Sequence, residues 1–231
     1  MAEEKNKLSL TGLEIPLVLA IIALFYWHSP VLLPIKLLTV FFHELSHAIA
    51  TLLTGGKVYG IDLQLNQGGA TYITGGWRLV SLTAGYLGSL LWGAGILLIS
   101  LKKGINRHIS VALGLLMIIV TVVWIKTLES IAITLLTASA FIFIAYKLKE
   151  EYCSIIIKFI SLISCFYVIF DIKDDLLDRT VSGSDASQMA KIIFPAFMQS
   201  FGSYIIGFIW FIIAIFVLWN VFKYALSPKK Q

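Results

Sequence analysis

The sequence predicts an all-α polytopic integral membrane protein of about seven transmembrane helices, with six the alternative count, and a small β-hairpin after the second helix. Three observations predict it. Of 231 residues, 58% are hydrophobic and only 13% charged, at a mean hydropathy of +0.89, which is more apolar surface than a soluble domain of this size buries. Apolar runs long enough to cross hydrocarbon recur along the whole chain. Between the second and third runs the pattern changes from continuous to alternating, the period of a strand. Residues 1–231 read as a single membrane-embedded domain.

The elements follow in order. A first span at about residues 14–27 ends in Tyr26, Trp27 and His28, and Pro30 breaks it. No small-residue cleavage site follows the short, mixed-charge start, so this span is expected to stay in the mature protein. The second span, about 31–54, has Pro34 in its first turn, where proline is tolerated, and stops at Gly55-Gly56. In the next segment Ile61, Leu63 and Leu65 alternate with Asp62, Gln64 and Asn66. Asn66-Gln67-Gly68-Gly69 then supplies turn chemistry, and residues 70–74 return as a second strand. The third span, about 77–101, carries Gly85, Ser89 and Gly93 in steps of four, one face on which another helix can approach closely. Further spans are expected at about 108–125, 131–146, 152–170 and 194–224. Lys158, inside the sixth, is expected to line the bundle or snorkel.

Residues 171–191 form the most polar internal stretch, with Asp171, Asp174, Asp175, Asp178 and Asp185. Ser184-Asp185-Ala186-Ser187-Gln188 reads as a helix start, with Asp185 as N-cap and Gln188 three residues on. The net charge of +5 is modest, its Lys and Arg sit at span ends, and no basic cluster points to a nucleic-acid partner. Their near-equal division between the two sides sets no orientation. Cys153 and Cys165 lie twelve residues apart in one predicted helix, about 18 Å, too far for a disulfide between them.

The chemistry concentrates in Phe41-Phe42-His43-Glu44-Leu45-Ser46-His47-Ala48, inside the second span. His43 and His47 are four residues apart, so on a helix they share a face about 6 Å apart. That spacing lets two imidazoles hold one Zn²⁺, and the adjacent Glu44 can act as general base on water activated by the metal. At this chain's own composition, chance yields the pattern in roughly one such chain in 500. Ionisable groups inside a membrane span are costly and functional by default. A hydrolytic zinc site takes three protein ligands. The second and sixth spans run the same way across the bilayer, which brings the acidic stretch to the motif's side. Asp171, nearest the membrane, is the first choice for third ligand, Asp175 the second and Asp174 the third. His28 and His108 fall on the other side. Substrate-binding residues are not readable. A strand edge beside the metal could hold an unwound substrate segment by strand addition.

These residues resemble the site-2-protease family of intramembrane zinc metalloproteases. The resemblance is carried by His43-Glu44-Leu45-Ser46-His47, the Gly55-Gly56 exit, the glycine-rich segment 68–76, and Ala84-Gly85-Tyr86-Leu87-Gly88-Ser89. The chain is most similar to a compact, divergent subgroup without appended soluble domains. That subgroup shows an aspartate-rich segment like Asp171-Ile172-Lys173-Asp174-Asp175, followed by Ser184-Asp185-Ala186. The usual Asn-Pro…Asp-Gly pattern for the third ligand has no match here. The resemblance implies one Zn²⁺ ion near the cytosolic surface, a membrane-spanning protein as substrate, and residence in a lipid bilayer, with the plasma (inner) membrane of a prokaryote as the expected setting. Two other readings use the same residues: a zinc-dependent membrane hydrolase of a non-peptide amide, and a non-catalytic zinc-binding membrane scaffold.

Overall fold

The structure is a computed structural model that describes residues 12–173 and 183–227. Eight α-helices and one hairpin are described: α1 (Glu14–Phe25), α2 (Leu33–Leu53), β1 (Lys57–Leu63), β2 (Gly69–Thr74), α3 (Arg78–Ser100), α4 (Asn106–Trp124), α5 (Leu128–Lys147), α6 (Glu150–Lys173), α7 (Asp185–Ile193) and α8 (Gln199–Ala225). Among the described residues six helices are long and apolar enough to cross a membrane: α2 with its 3₁₀ lead-in from Pro30, α3, α4, α5, α6 and α8. The lower of the two expected counts therefore holds. The twelve residues of α1 span about 18 Å at 1.5 Å per residue, short of a hydrocarbon core about 30 Å thick. Outward faces carry large apolar side chains such as Val122, Leu136, Phe216 and Trp219, the surface a lipid-facing bundle presents rather than one that meets water.

The 3₁₀ lead-in starts where Ser29 Oγ accepts from the Val31 N–H, with Pro30 first in the turn, and helix α2 follows with Pro34 in its own first turn. It ends at Gly55, whose φ of +83° is open to glycine at low cost. The hairpin base then closes tightly, because a Cβ on Gly56 would lie 2.9 Å from the Gly76 nitrogen.

Helices α2 and α3 run antiparallel and close. Phe42 stacks on Trp92 at 5.4 Å, and a Cβ on Gly88 would lie 2.4 Å from Ser46 Oγ. Gly93 faces the other neighbour, with Cys165 N and Ser164 Cβ 2.9 Å from where its Cβ would be. The small residues of α3 thus let two helices approach it at once. Helix α1 lies along α6: Trp27 stacks on Phe170 at 4.7 Å, and Lys158 Nζ donates to the Gly12 carbonyl at 3.2 Å. Both cysteines are free and buried.

The hairpin is antiparallel, with Ile61 opposite Thr71, Leu63 opposite Gly69, and a register shift between Val58 and Gly60. Its β1 side is tied to the α4–α5 junction. Ile61 bridges Ile125 in parallel, the Leu63 N–H donates to Ser130 Oγ at 2.7 Å, and Ser130 Oγ donates to Asp62 Oδ1 at 2.6 Å. Among the described residues no strand pairs with the outer edge of β2.

Candidate metal centre

His43 and His47 both project from α2 toward α3 and the start of α7. Their Nε2 atoms lie 3.0 Å and 3.1 Å from the same oxygen, Asp185 Oδ2. His47 is oriented from behind: its Nδ1–H donates to the Ser81 carbonyl at 2.8 Å. A carbonyl only accepts, so the neutral ring carries its proton on Nδ1 and turns the Nε2 lone pair toward Asp185. Among the described residues His43 Nδ1 is buried without a hydrogen-bond partner, and Asp171 Oδ2 lies 3.7 Å from it.

The three donors fit a small divalent cation. Donors about 2.0–2.1 Å from a tetrahedral zinc stand roughly 3.3 Å apart, against the 3.0 Å and 3.1 Å between histidine and aspartate. His43, His47 and Asp185 each offer one donor, all within 4.8 Å of one another. The third helix leaves the space: a Cβ on Gly85 would lie 2.5 Å from His43 Nε2, 2.6 Å from Asp185 Oδ2 and 2.6 Å from His47 Cε1. A single methyl group there would fill the cradle that these side chains surround.

The N-cap expected at Asp185 falls one residue earlier. The N-cap of α7 is Ser184, whose Oγ accepts from the Ser187 N–H at 3.3 Å. Asp185 is thereby the first helical residue, and its carboxylate is free to turn inward. Burial alone would raise the Asp185 carboxyl. When the two rings are protonated, the charge of His47 and the hydrogen bonds from His43 and His47 outweigh that and hold it below the usual carboxylate range. Asp171 reaches the pair from the opposite side, at Nδ1 of His43 rather than at the converging Nε2 atoms. Asp175, Asp174 and Asp178 lie outside the described residues. His108 is exposed and sits against the Gly104 carbonyl, away from this cluster.

Glu44 lines the same cavity of about 380 Å³, together with Gly69, Thr71, Tyr86 and Tyr167. Its carboxylate Oε2 accepts from Thr71 Oγ1 at 2.7 Å. Tyr86 meets the His43 ring edge-on at 5.1 Å between centroids, packing that fixes the imidazole plane. Arg78 at the start of α3 donates to Gln188 of α7, both on the cavity wall. None of Gly69, Thr71, Tyr86 and Arg78 carries a sequence signal for this role beyond membership in the glycine-rich segment or in the helix that follows it, and Gln188 carries one only as part of the α7 start.

A buried His-Glu-x-x-His face, closed by a carboxylate from a distant segment and set in a bundle of apolar spans, is now in view. The chain belongs to the Peptidase M50B-like family. The family match runs over residues 16–221, from α1 into α8, and this is the site-2-protease family of membrane metallopeptidases. No curated protein and no solved structure matches the chain. Membership agrees with the expected resemblance and with an integral, multi-pass membrane location. It extends to α4, α5 and α8, which carry no distinctive motif of their own.

Proposed function

We propose that the chain is a zinc metalloendopeptidase that hydrolyses a peptide bond of a membrane-spanning protein, with His43, His47 and Asp185 as the metal ligands and Glu44 as general base. One observation carries the reading: two imidazole Nε2 atoms converge on the Asp185 carboxylate around the space left by Gly85, with Glu44 in the same cavity. A zinc ion held there supplies Lewis-acid polarisation of the scissile carbonyl and activation of water. Ser81 and Asp171 act behind the ligands, Ser81 by fixing the His47 tautomer and Asp171 by facing His43 Nδ1. Glu44 accepts the proton of the attacking water as its oxygen adds to the carbonyl carbon, then delivers that proton to the departing nitrogen as the C–N bond breaks.

The motif's place in a helix long and apolar enough to cross a membrane supports that substrate class. A helical segment arriving from the bilayer has its peptide groups satisfied internally and must be unwound before attack. The β2 edge supports that step. Ile125, Glu129 and Ser130 occupy the outer side of β1, whereas Gly69, Ala70, Thr71 and Ile73 of β2 line the cavity. An extended substrate segment adds to β2, not to residues 61–65.

The test is Glu44→Gln in the purified full-length protein reconstituted with a cleavable membrane-spanning polypeptide. The variant is expected to keep its zinc and lose about 10²–10⁴-fold in rate. Wild-type cleavage by Glu44→Gln would remove Glu44 from the chemistry.

A further inference from the structure

The hairpin reaches the proposed base directly. Thr71 Oγ1 lies 2.7 Å from Glu44 Oε2 and 2.9 Å from the Glu44 backbone oxygen. Gly69, two residues earlier on β2 and therefore on the same strand face, is pressed against the same carboxylate. A Cβ there would sit 2.4 Å from Oε1 and 2.9 Å from Cδ. Gly69 lets β2 close on Glu44, and Thr71 fills the remaining gap with a hydroxyl.

A hydroxyl has one hydrogen and accepts as well as donates. That hydrogen reaches either the Glu44 carboxylate or the Glu44 carbonyl, so both of its destinations tie the hydroxyl to Glu44. Thr71 grips the carboxylate at Oε2, and the missing side chain of Gly69 leaves room at Oε1.

We propose that Thr71 is a positioning residue for Glu44, its hydroxyl holding the side chain in one orientation at Oε2 and leaving Oε1 for the attacking water. The inference rests on the reading of Glu44 as base, and it has a test of its own. In full-length protein labelled with ¹³C-carboxyl glutamate, the infrared difference between wild type and Glu44→Gln isolates the Glu44 carboxylate band. Thr71→Val, close to isosteric, is expected to shift that band, and Thr71→Ser to restore it. Thr71→Ala provides the same measurement should the valine variant fold poorly. With a fluorogenic membrane-spanning peptide, Thr71→Val is expected to lower kcat about 10- to 100-fold, with KM and zinc content unchanged and serine rescuing the rate. An unshifted band in both Thr71→Val and Thr71→Ala overturns the proposal. So does a raised KM at constant kcat, which would make Thr71 a substrate contact. Full activity in Glu44→Gln alongside a shifted band would instead defeat the base assignment and leave the Thr71 contact standing.

Discussion

Replacing Asp185 with asparagine separates the proposed ligand set from the one the acidic stretch suggested. In the structure one carboxylate oxygen faces both imidazoles, at 3.0 Å and 3.1 Å. Asparagine keeps the shape and one neutral oxygen, so α7 can dock as before, but the negative charge opposite the metal is gone. Removal of an outer partner of a zinc ligand typically lowers metal affinity 10- to 100-fold, about 1.4–2.7 kcal/mol. Loss of a direct ligand must exceed that upper bound. Asp185→Asn is therefore expected to weaken zinc binding by more than about 100-fold, and Asp171→Asn, which faces Nδ1 of His43, by about 10- to 100-fold. The assay is zinc per chain after equilibration of detergent-solubilised protein against a chelator series, with Glu44→Gln as the variant expected to match wild type. Wild-type retention by Asp185→Asn would refute the reasoning, and so would a larger loss in Asp171→Asn than in Asp185→Asn.

Three further outcomes are expected. Gly85→Ala should fold with a lowered melting temperature, since the roughly 1 kcal/mol by which alanine is favoured over glycine in a helix offsets only part of the displacement its methyl forces on His43, His47 and Asp185, each within 2.6 Å of it. It should bind little zinc, because its methyl occupies the cradle; normal zinc stoichiometry would place the ion elsewhere. Disulfide trapping of a single-cysteine membrane-spanning peptide should succeed at Ile73→Cys on the cavity side of β2 and fail at Tyr59→Cys on β1; the reverse would move the substrate to the other strand. The carboxyl of Asp62 is depressed: burial opposes the charge, but bonds from Ser130, Thr127 and Gln64 outweigh it. A depressed carboxyl contributes stability that is fully present above its unfolded pKa, near 3.8, and is lost as pH falls below that value. The melting temperature of wild type should accordingly approach that of Asp62→Asn as pH drops below 3.8; parallel curves would show that Asp62 does not anchor the hairpin.

Much of the fold was legible because it is written locally. Hydropathy over about twenty residues marks a span whatever its neighbours are, and the alternation at Ile61, Leu63 and Leu65 marks a strand. The short α1 was overcounted because an apolar run bounded by aromatics looks alike whether or not it crosses. Gly85 was legible only as a packing glycine, since a step of four with Ser89 and Gly93 reports a face and not what that face meets. Asp185 was hidden by a tie: serine and aspartate are both strong N-caps, and moving the cap by one residue decides whether the carboxylate bonds to its own backbone or to two histidines.

By itself, the sequence determined that the chain is a multi-span membrane protein with two histidines and a glutamate on one helical face, because an i,i+4 spacing is geometry the backbone imposes within a single element. Tertiary structure decided which carboxylate faces the histidine pair, which hairpin edge has no partner strand among the described residues, and which hydroxyl bonds to Glu44. Those choices join residues as far as 142 positions apart. They depend on where whole helices dock, and on glycines whose missing side chains let α3 and β2 come within reach of the site.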